Sequence, residues 1–142
     1  MYRHILITTD GSELAEHGVA HGLALAKSLG AKVSVIFVVE PFSEMTGRFL
    51  ETLARYIELR KEQATSVLDR AANAAKKAGV ACETIQVENG QPDQAIIAAA
   101  EDKGCDLIVM SSHGRSGLSK LLIGSVTNKV LTQAKIPVLV CQ

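Results

Sequence analysis

The sequence predicts a doubly wound α/β fold, in which helices cover both faces of a five-stranded parallel sheet. Strand-like and helix-like segments alternate along the whole chain, with no internal repeat or low-complexity tract. Each return to a parallel strand needs a crossover connection, and these crossovers are right-handed. The segment Lys32–Val39 is nearly continuous in apolar and β-branched residues, as expected of a strand covered on both faces. A length of 142 residues suits a single domain, so we expect one domain over residues 1–142.

The first part of the chain predicts a strand, a helix and a second strand. Arg3–Thr9 is a short apolar run. After Ser12, apolar residues recur at helical spacing until Gly30, a residue that commonly ends helices. The second strand, Lys32–Val39, is ended by Pro41 and the residue before it.

The remaining elements follow from the same two periodicities and from helix-ending glycines. Apolar residues recur at helical spacing from Leu50 to Ala78, and Gly79 ends this predicted helix. A helix of this length could also contain an internal break. Pro92 marks the start of a later helix, because proline is favoured in the first turn. The further predicted elements are strand Val80–Val87, helix Pro92–Lys103, strand Asp106–Ser111, helix Gly124–Ala134 and strand Ile136–Cys141.

The predicted topology brings two distant polar segments together. With the usual reversal of winding after the third strand, the strand order is 3-2-1-4-5 and a crevice forms between the carboxyl ends of strands one and four. Asp10 follows the first strand, and residues 111–114 follow the fourth. We therefore expect a ligand site there.

Composition excludes several classes of protein. Acidic and basic residues number 15 each, which argues against a protein that binds nucleic acid through its phosphates. No apolar run reaches the ~20 residues of a membrane helix, and the first residues lead into a strand rather than a signal peptide, so we expect a soluble cytoplasmic protein. Cys82, Cys105 and Cys141 stand in apolar, strand-like segments and are expected to be buried reduced thiols.

The run from Met110 to Thr127 predicts a phosphate site. It joins a strand to a helix through small residues, with Gly114 at its opening and Gly124 and Ser125 at its close. Free amides and the positive end of the helix dipole both attract an anion at a helix start. The Walker A pattern and Gly-x-Gly-x-x-Gly are absent, so P-loop hydrolysis and NAD binding have little support.

The spacing of Gly114 and Gly124-Ser125 resembles the nucleotide loop of the universal stress protein family. The family pattern is Gly, two residues, Gly, nine residues, Gly-Ser/Thr, and Ser111 stands here in place of its first glycine. The order of elements is also similar over nearly the whole chain, from the run Ile5–Ser12 to the run Ile136–Val140. The resemblance implies a stress-linked binding or regulatory module that binds ATP or AMP at the carboxyl edge of the sheet.

The resemblance also implies roles for particular residues. Asp10 matches an aspartate that contacts nucleotide, and its carboxylate suits a ribose hydroxyl or Mg²⁺ bound with ATP; an Asx-turn beside a helix N-cap is the alternative. Val38 matches a position whose backbone meets adenine, and Met110 one beside the base and ribose. Arg115 either reaches a phosphate or is solvated, and His113 is expected to shape the loop. The full predicted set is Thr8, Asp10, Val38, Met110, Ser111, His113, Gly114, Arg115, Gly124, Ser125, Val126 and Thr127.

Two alternatives to a binding module stay open. One is a slow Mg²⁺-dependent ATPase, although the sequence offers no residue to assign as catalytic. The other is a dimeric scaffold without nucleotide binding, supported only by Ser111. In either case the last strand, residues 136–141, lies at a sheet edge and is expected to pair with a second copy. His17 and His21 stand four apart on the first helix, but no third zinc ligand accompanies them.

Overall fold

The computed structural model describes residues 1–41, 50–114 and 122–142. Arg115 and the other residues of 115–121 lie outside this range. Strands and helices alternate through the described residues, as the periodicity predicts. In chain order they are β1 (His4–Thr8), α1 (Glu13–Leu29), β2 (Lys32–Val39), α2 (Leu50–Ala78), β3 (Cys82–Glu88), α3 (Pro92–Lys103), β4 (Leu107–Ser111), α4 (Ser125–Gln133) and β5 (Val138–Cys141).

The five strands form one parallel sheet in the order β3-β2-β1-β4-β5, which confirms the predicted topology. The central strand β1 pairs with β2 on one side and β4 on the other, so that Ile7 lies between Val35 and Val109. The winding reverses between β1 and β4. Their carboxyl ends therefore flank the crevice in which ligands bind in this class of fold.

Helices cover both faces of the sheet, each over its own core. Alternate strand residues point to opposite faces, so Ile5 and Ile7 join one cluster and Leu6 joins the other. The first cluster includes side chains of α1 and α2, such as Leu23 and Val67. The second includes side chains of α3 and α4 and, from the sheet, Leu6, Ile36, Ile108 and Met110.

Glycines end the helices where the sequence predicts. Gly30 has a φ of 69° and its amide bonds the carbonyls of Ala26 and Lys27, a left-handed cap that few other residues adopt without cost. Gly79 has a φ of 74°. Helix α2 is one uninterrupted helix from Leu50 to Ala78, so the internal break that its length left open does not occur.

The starts of β3 and β5 each lie two residues later than predicted, whereas the other strand boundaries differ by no more than one residue. Strand β3 begins at Cys82 rather than Val80, since the amide of Val80 bonds the carbonyl of Ala75 and completes the end of α2. Strand β5 begins at Val138 rather than Ile136, and the preceding Pro137 has no amide hydrogen to donate to a ladder.

The three cysteines are free thiols, but only Cys105 is buried. Burial raises the pKa of the Cys105 thiol to about 11. Cys82 and Cys141 are half-buried because they belong to the two edge strands of the sheet. The expectation of burial is therefore wrong for those two residues, and Cys105 lies just before β4 rather than within a strand.

No helix in the described part of the chain is both long enough and apolar enough to cross a membrane.

Candidate functional site

The turn between β1 and α1 is held by short-range hydrogen bonds. Asp10 accepts a hydrogen bond from the amide of Ser12 at 3.0 Å, which is an Asx-turn. Ser12 caps α1 by accepting a hydrogen bond from the amide of Ala15 at 3.2 Å. Gly11, with a φ of 81°, makes the turn possible. The Asx-turn and the N-cap are thus both present.

The second carboxylate oxygen of Asp10 faces the loop that follows β4. A Cβ built on Gly114 would lie 2.5 Å from Oδ2 of Asp10, so a larger residue would have to displace this carboxylate. Glycine at 114 lets the loop pass Asp10 without that displacement. The fold brings the ends of β1 and β4 into contact, as the predicted topology requires.

Ser111 lies on the face of the sheet that carries α1. Its side chain is buried, and its hydroxyl donates a hydrogen bond to the carbonyl of His113 at 2.8 Å. A Cβ built on Gly18 of α1 would lie 3.9 Å from the Cβ of Ser111. Strand alternation places Met110 on the opposite face. The Ser111 hydroxyl therefore supports its own loop, a role that the sequence reasoning did not consider.

The base of the loop is closed by two further hydrogen bonds. The amide of Gly124 donates to the carbonyl of Ser112 at 2.7 Å. The hydroxyl of Thr127, which is buried, donates to the carbonyl of Ser111 at 2.8 Å. These bonds join the end of β4 to the start of α4 and fix where the first turn of that helix lies.

His113 adds a clasp across the loop. Its Nδ1 is 3.0 Å from the hydroxyl of Ser112, and its Nε2 is hydrogen-bonded to the carbonyl of Leu122. A carbonyl only accepts, so Nε2 donates to Leu122, and Nδ1 is hydrogen-bonded to the Ser112 hydroxyl. This bonding fits the predicted loop-shaping role of His113. Ser112 and Leu122 gave no sequence signal, because one acts through a hydroxyl and carbonyl and the other through its carbonyl alone.

The N-terminus of α4 has the features of an anion site. Its N-cap is Gly124, no side chain within the described residues caps it, and no acidic residue stands in its first turn. Amides of a first helical turn have no partner within the helix, and the helix dipole is positive there. Ser125 is exposed, whereas Val126 packs partly against the second core.

The space beside Gly124 is narrow. A Cβ at this position would lie 3.2 Å from the carbonyl oxygen of Ser112 and 3.4 Å from the Cα of His113. The φ of Gly124 is −59°, which any residue adopts. Close approach of the loop backbone, and not backbone conformation, is what favours glycine here.

Three further residues of the predicted set, Thr8, Val38 and Met110, lie near the carboxyl ends of their strands. Met110 is buried in the second core and Val38, near the end of β2, packs partly against it. Thr8 is half-buried at the end of β1, opposite Ile36. The structure thus gathers these three positions near the carboxyl edge of the sheet, with Met110 contributing to the core.

Two other predicted features stand apart from this arrangement. Arg115 lies outside the described residues. His17 and His21 are exposed on α1, and no group of three or more metal-ligating side chains occurs in the described part of the chain.

Known proteins are similar to this chain in both sequence and fold. Residues 1–142 match the model of the universal stress protein family. A universal stress protein of Methanocaldococcus jannaschii is 38% identical over 141 residues, which cover 99% of this chain and 82% of that protein. The solved structure of the universal stress protein UspA from Lactobacillus plantarum has the same fold, with a TM-score of 0.90, 21% identity, and coverage of 99% and 98% of the two chains.

A further solved universal stress protein, in complex with cAMP, is 25% identical with a TM-score of 0.74. The alignment covers 99% of this chain and 97% of that one. The family match over the whole chain, the close relative and the shared topology agree with one another. This chain belongs to the universal stress protein family.

Proposed function

We propose that this chain binds an adenine nucleotide, ATP or AMP, at the carboxyl edge of the sheet between β1 and β4. The observation that carries the proposal is the N-terminus of α4, which has a glycine at its N-cap and first-turn amides that no side chain of the described residues caps. The complex of a related universal stress protein with cAMP supports an adenine nucleotide as the ligand.

The geometry of the loop suits a phosphate. Hydrogen bonds from Gly124 and Thr127 hold the helix start against the end of β4, so the amides are fixed before a ligand arrives. An oxyanion that accepts from such amides replaces water at little cost in reorganisation. We assign the backbone amides of Ser125, Val126 and Thr127 to the phosphates. Thr127 is assigned through its amide because its hydroxyl already donates a hydrogen bond to the carbonyl of Ser111.

Asp10 introduces a negative charge beside this site. Its Oδ2 lies against Gly114, on the same loop that would approach the phosphates. A carboxylate repels a phosphate chain unless a cation lies between them, and Mg²⁺ prefers carboxylate and phosphate oxygens. We therefore assign Asp10 to Mg²⁺ when ATP is bound, and we expect Mg²⁺ to matter more for ATP than for AMP.

We infer a binding or regulatory role rather than turnover. The described residues of the site include no acid–base pair that faces the helix N-terminus, since His113 is bonded to Ser112 and Leu122. We therefore assign no catalytic residue. The predicted roles of Val38, Met110 and Arg115, the single domain over residues 1–142 and the cytoplasmic location stay predictions.

Calorimetry of nucleotide binding tests the proposal. We expect Gly124→Val to weaken ATP binding roughly ten- to a hundredfold, because a side chain too close to the Ser112 carbonyl displaces the loop at a cost of about 1–3 kcal/mol. Gly90→Ala is the matched control, since a Cβ at Gly90 meets no atom within 4 Å. The control variant should bind like the wild type, and circular dichroism should show both variants folded.

Other outcomes would favour the alternatives. Absence of binding by either nucleotide at millimolar concentration would favour a scaffold without nucleotide. Mg²⁺-dependent phosphate release that Asp10→Ala abolishes would favour a slow ATPase. Unchanged affinity in Gly124→Val would place the nucleotide elsewhere.

A further inference from the structure

Three hydrogen-bonded polar side chains lie near the amino ends of the strands, at the opposite end of the sheet from the proposed nucleotide site. His4 begins β1, Ser34 lies in β2 and Glu83 lies in β3. The His4 Nε2 is 2.7 Å from the Ser34 hydroxyl, which is 2.8 Å from a carboxylate oxygen of Glu83. His4 is 5% exposed and Ser34 is fully buried, whereas Glu83 reaches solvent.

These three side chains also contact the end of α3. The Nδ1 of His4 lies 3.1 Å from the carbonyl of Lys103, the last residue of that helix. The Lys103 ammonium lies 3.4 Å from the other carboxylate oxygen of Glu83. The contacts therefore connect three strands and one helix terminus in a single network.

The number of protons decides which contacts are made. Three contacts, from carbonyl to imidazole to hydroxyl to carboxylate, need three hydrogen atoms between them. The Lys103 carbonyl only accepts, so Nδ1 must donate to it. A neutral imidazole and a serine hydroxyl together carry two protons, whereas an imidazolium and the hydroxyl carry three. Every contact is satisfied only when the network has taken up one extra proton.

The surroundings set the pH range of this uptake. Burial and the positive charge of Lys32 lower the pKa of His4, although the Lys103 carbonyl, Glu83 and Asp106 act to raise it. The hydrogen bond from Ser34 lowers the pKa of Glu83, with the Lys103 charge acting in the same direction. We therefore expect His4 to take up its proton below the ordinary range of histidine. The Ser34 and Lys103 contacts favour the carboxylate form of Glu83.

Asp106 and Arg3 complete the surroundings of His4. The Asp106 carboxylate accepts hydrogen bonds from the amides of Arg3 and His4, at 2.9 and 3.1 Å. The Asp106 carboxylate therefore holds the backbone of His4, whereas the His4 ring contacts Ser34 and the carbonyl of Lys103.

We propose that His4, Ser34 and Glu83 form an acid-responsive switch that binds one proton and, when protonated, clamps β3 to β1 and to the end of α3. Without that proton, the Ser34 hydroxyl donates to His4 and the exposed Glu83 carboxylate turns to water. With it, His4 donates to Ser34, and the Ser34 hydroxyl donates to Glu83. The switch does not depend on nucleotide binding.

The residue types are those of a hydrolytic triad, but the geometry excludes that chemistry. The Ser34 side chain has no exposed surface, so no substrate reaches its hydroxyl. Both ring nitrogens of His4 are occupied by protein groups.

Nuclear magnetic resonance titration of the labelled protein tests the switch. We expect the His4 ring nitrogens and the Glu83 carboxyl carbon to change together, with one inflection below the ordinary pH range of histidine. Above that inflection, the proton of neutral His4 should reside on Nδ1. The proposal is overturned if His4 takes up no proton before the chain unfolds, or if Glu83 titrates without any response at His4.

Three variants separate the switch from a general charge effect. Glu83→Gln should weaken proton binding at His4 about three- to tenfold, as expected for loss of a nearby partly screened charge. Ser34→Ala should uncouple the Glu83 signal from His4. Glu88→Gln is the control, because Glu88 lies on the same strand but pairs with Lys61. An equal response to Glu88→Gln and Glu83→Gln would overturn the proposal, and both are surface changes that should not prevent folding.

Discussion

Ser111 shows how a single departure from a family pattern is absorbed at the residue scale. Serine replaces the first glycine of the family pattern at the end of β4, and the sequence alone allows its hydroxyl either to contact the ligand or to narrow the pocket. In the structure the hydroxyl bonds the carbonyl of His113, and the side chain faces α1. We therefore expect the serine to act on the loop through this hydrogen bond rather than by occupying the space proposed for a nucleotide.

We predict that Ser111→Gly destabilises the protein and changes nucleotide affinity less than tenfold. Loss of the hydrogen bond costs about 0.5–1.5 kcal/mol, and the freer glycine backbone costs roughly 0.5–1 kcal/mol more. Urea unfolding and calorimetry would measure the two effects. Ser111→Ala is the control that removes only the hydroxyl. A tightening of more than tenfold in Ser111→Gly would show that the serine side chain occupies ligand space.

The sequence predicted which strand ends meet but not the contacts made there. It predicted that Asp10 and Gly114 lie at neighbouring strand ends, since topology alone requires it, and the structure brings them into contact. It did not find Ser112 and Leu122, because hydrogen bonds to backbone carbonyls depend on the path of the loop rather than on residue type. One signal was available in the sequence. Side chains alternate along a strand, so a buried Met110 implies that Ser111 points to the opposite face of the sheet.

At the scale of elements, α1 packs closely against the sheet at Gly22 but leaves ordinary space at Gly18, one turn earlier. A Cβ at Gly22 would lie 2.6 and 2.8 Å from two atoms of Ile7, which is fully buried in the centre of β1. A Cβ at Gly18 would make only an ordinary contact, 3.7 Å from the amide nitrogen of Ser111. These glycines face β1 and β4, the two strands whose ends form the site.

We predict opposite effects for alanine at these two positions. Gly22→Ala should lower the free energy of unfolding by about 1–2 kcal/mol, because overpacking of Ile7 costs about 1–3 kcal/mol and better helix propensity returns up to about 1 kcal/mol. Gly18→Ala should raise it by up to about 1 kcal/mol through propensity alone. Thermal and urea unfolding of the pair would measure both. Equal effects at the two positions would contradict close packing at Gly22.

The elements themselves were predictable because their signals are local. Helical spacing of apolar residues and the glycines after α1 and α2 give the helices, and the continuous apolar run gives β2. The largest errors lie at the starts of β3 and β5, where the end of a helix uses a backbone donor and Pro137 lacks one. Close packing at Gly22 was not predictable, since it depends on which strand residue lies opposite the helix.

At the scale of the whole molecule, the parallel topology explains why two sites occur at opposite ends of the sheet. Carboxyl ends of β1 and β4 meet at the proposed nucleotide site. Amino-end residues of β1, β2 and β3 meet in the network of His4, Ser34 and Glu83, next to the end of α3. The first site follows from the order of strands, whereas the second requires the register in which Ser34 lies opposite Glu83. Register is not encoded by a local pattern in strands with continuous apolar runs.

The edge strand β5 is the surface through which we expect two copies to pair. All four of its residues are half-exposed, and among the described strands β4 is the one that pairs with it. The amide of Ile108 donates to the carbonyl of Pro137, and that of Ser112 donates to the carbonyl of Cys141. Backbone groups on one side of a strand alternate, so residue 139 also faces β4, whereas Val138 and Val140 direct their amides and carbonyls outward.

We predict that the protein is a homodimer in which Val138 and Val140 pair across a twofold axis with a second copy. Val140→Pro should weaken the dimer, because it removes an outward donor and leaves the ladder to β4 intact. Leu139→Pro is the contrasting variant: it removes a donor that faces β4, so it should lower the free energy of unfolding as well. Sedimentation equilibrium with circular dichroism would separate the two effects. A wild type that stays monomeric at tens of micromolar would contradict pairing through β5, and a dimer unaffected by Val140→Pro would place the interface on another surface.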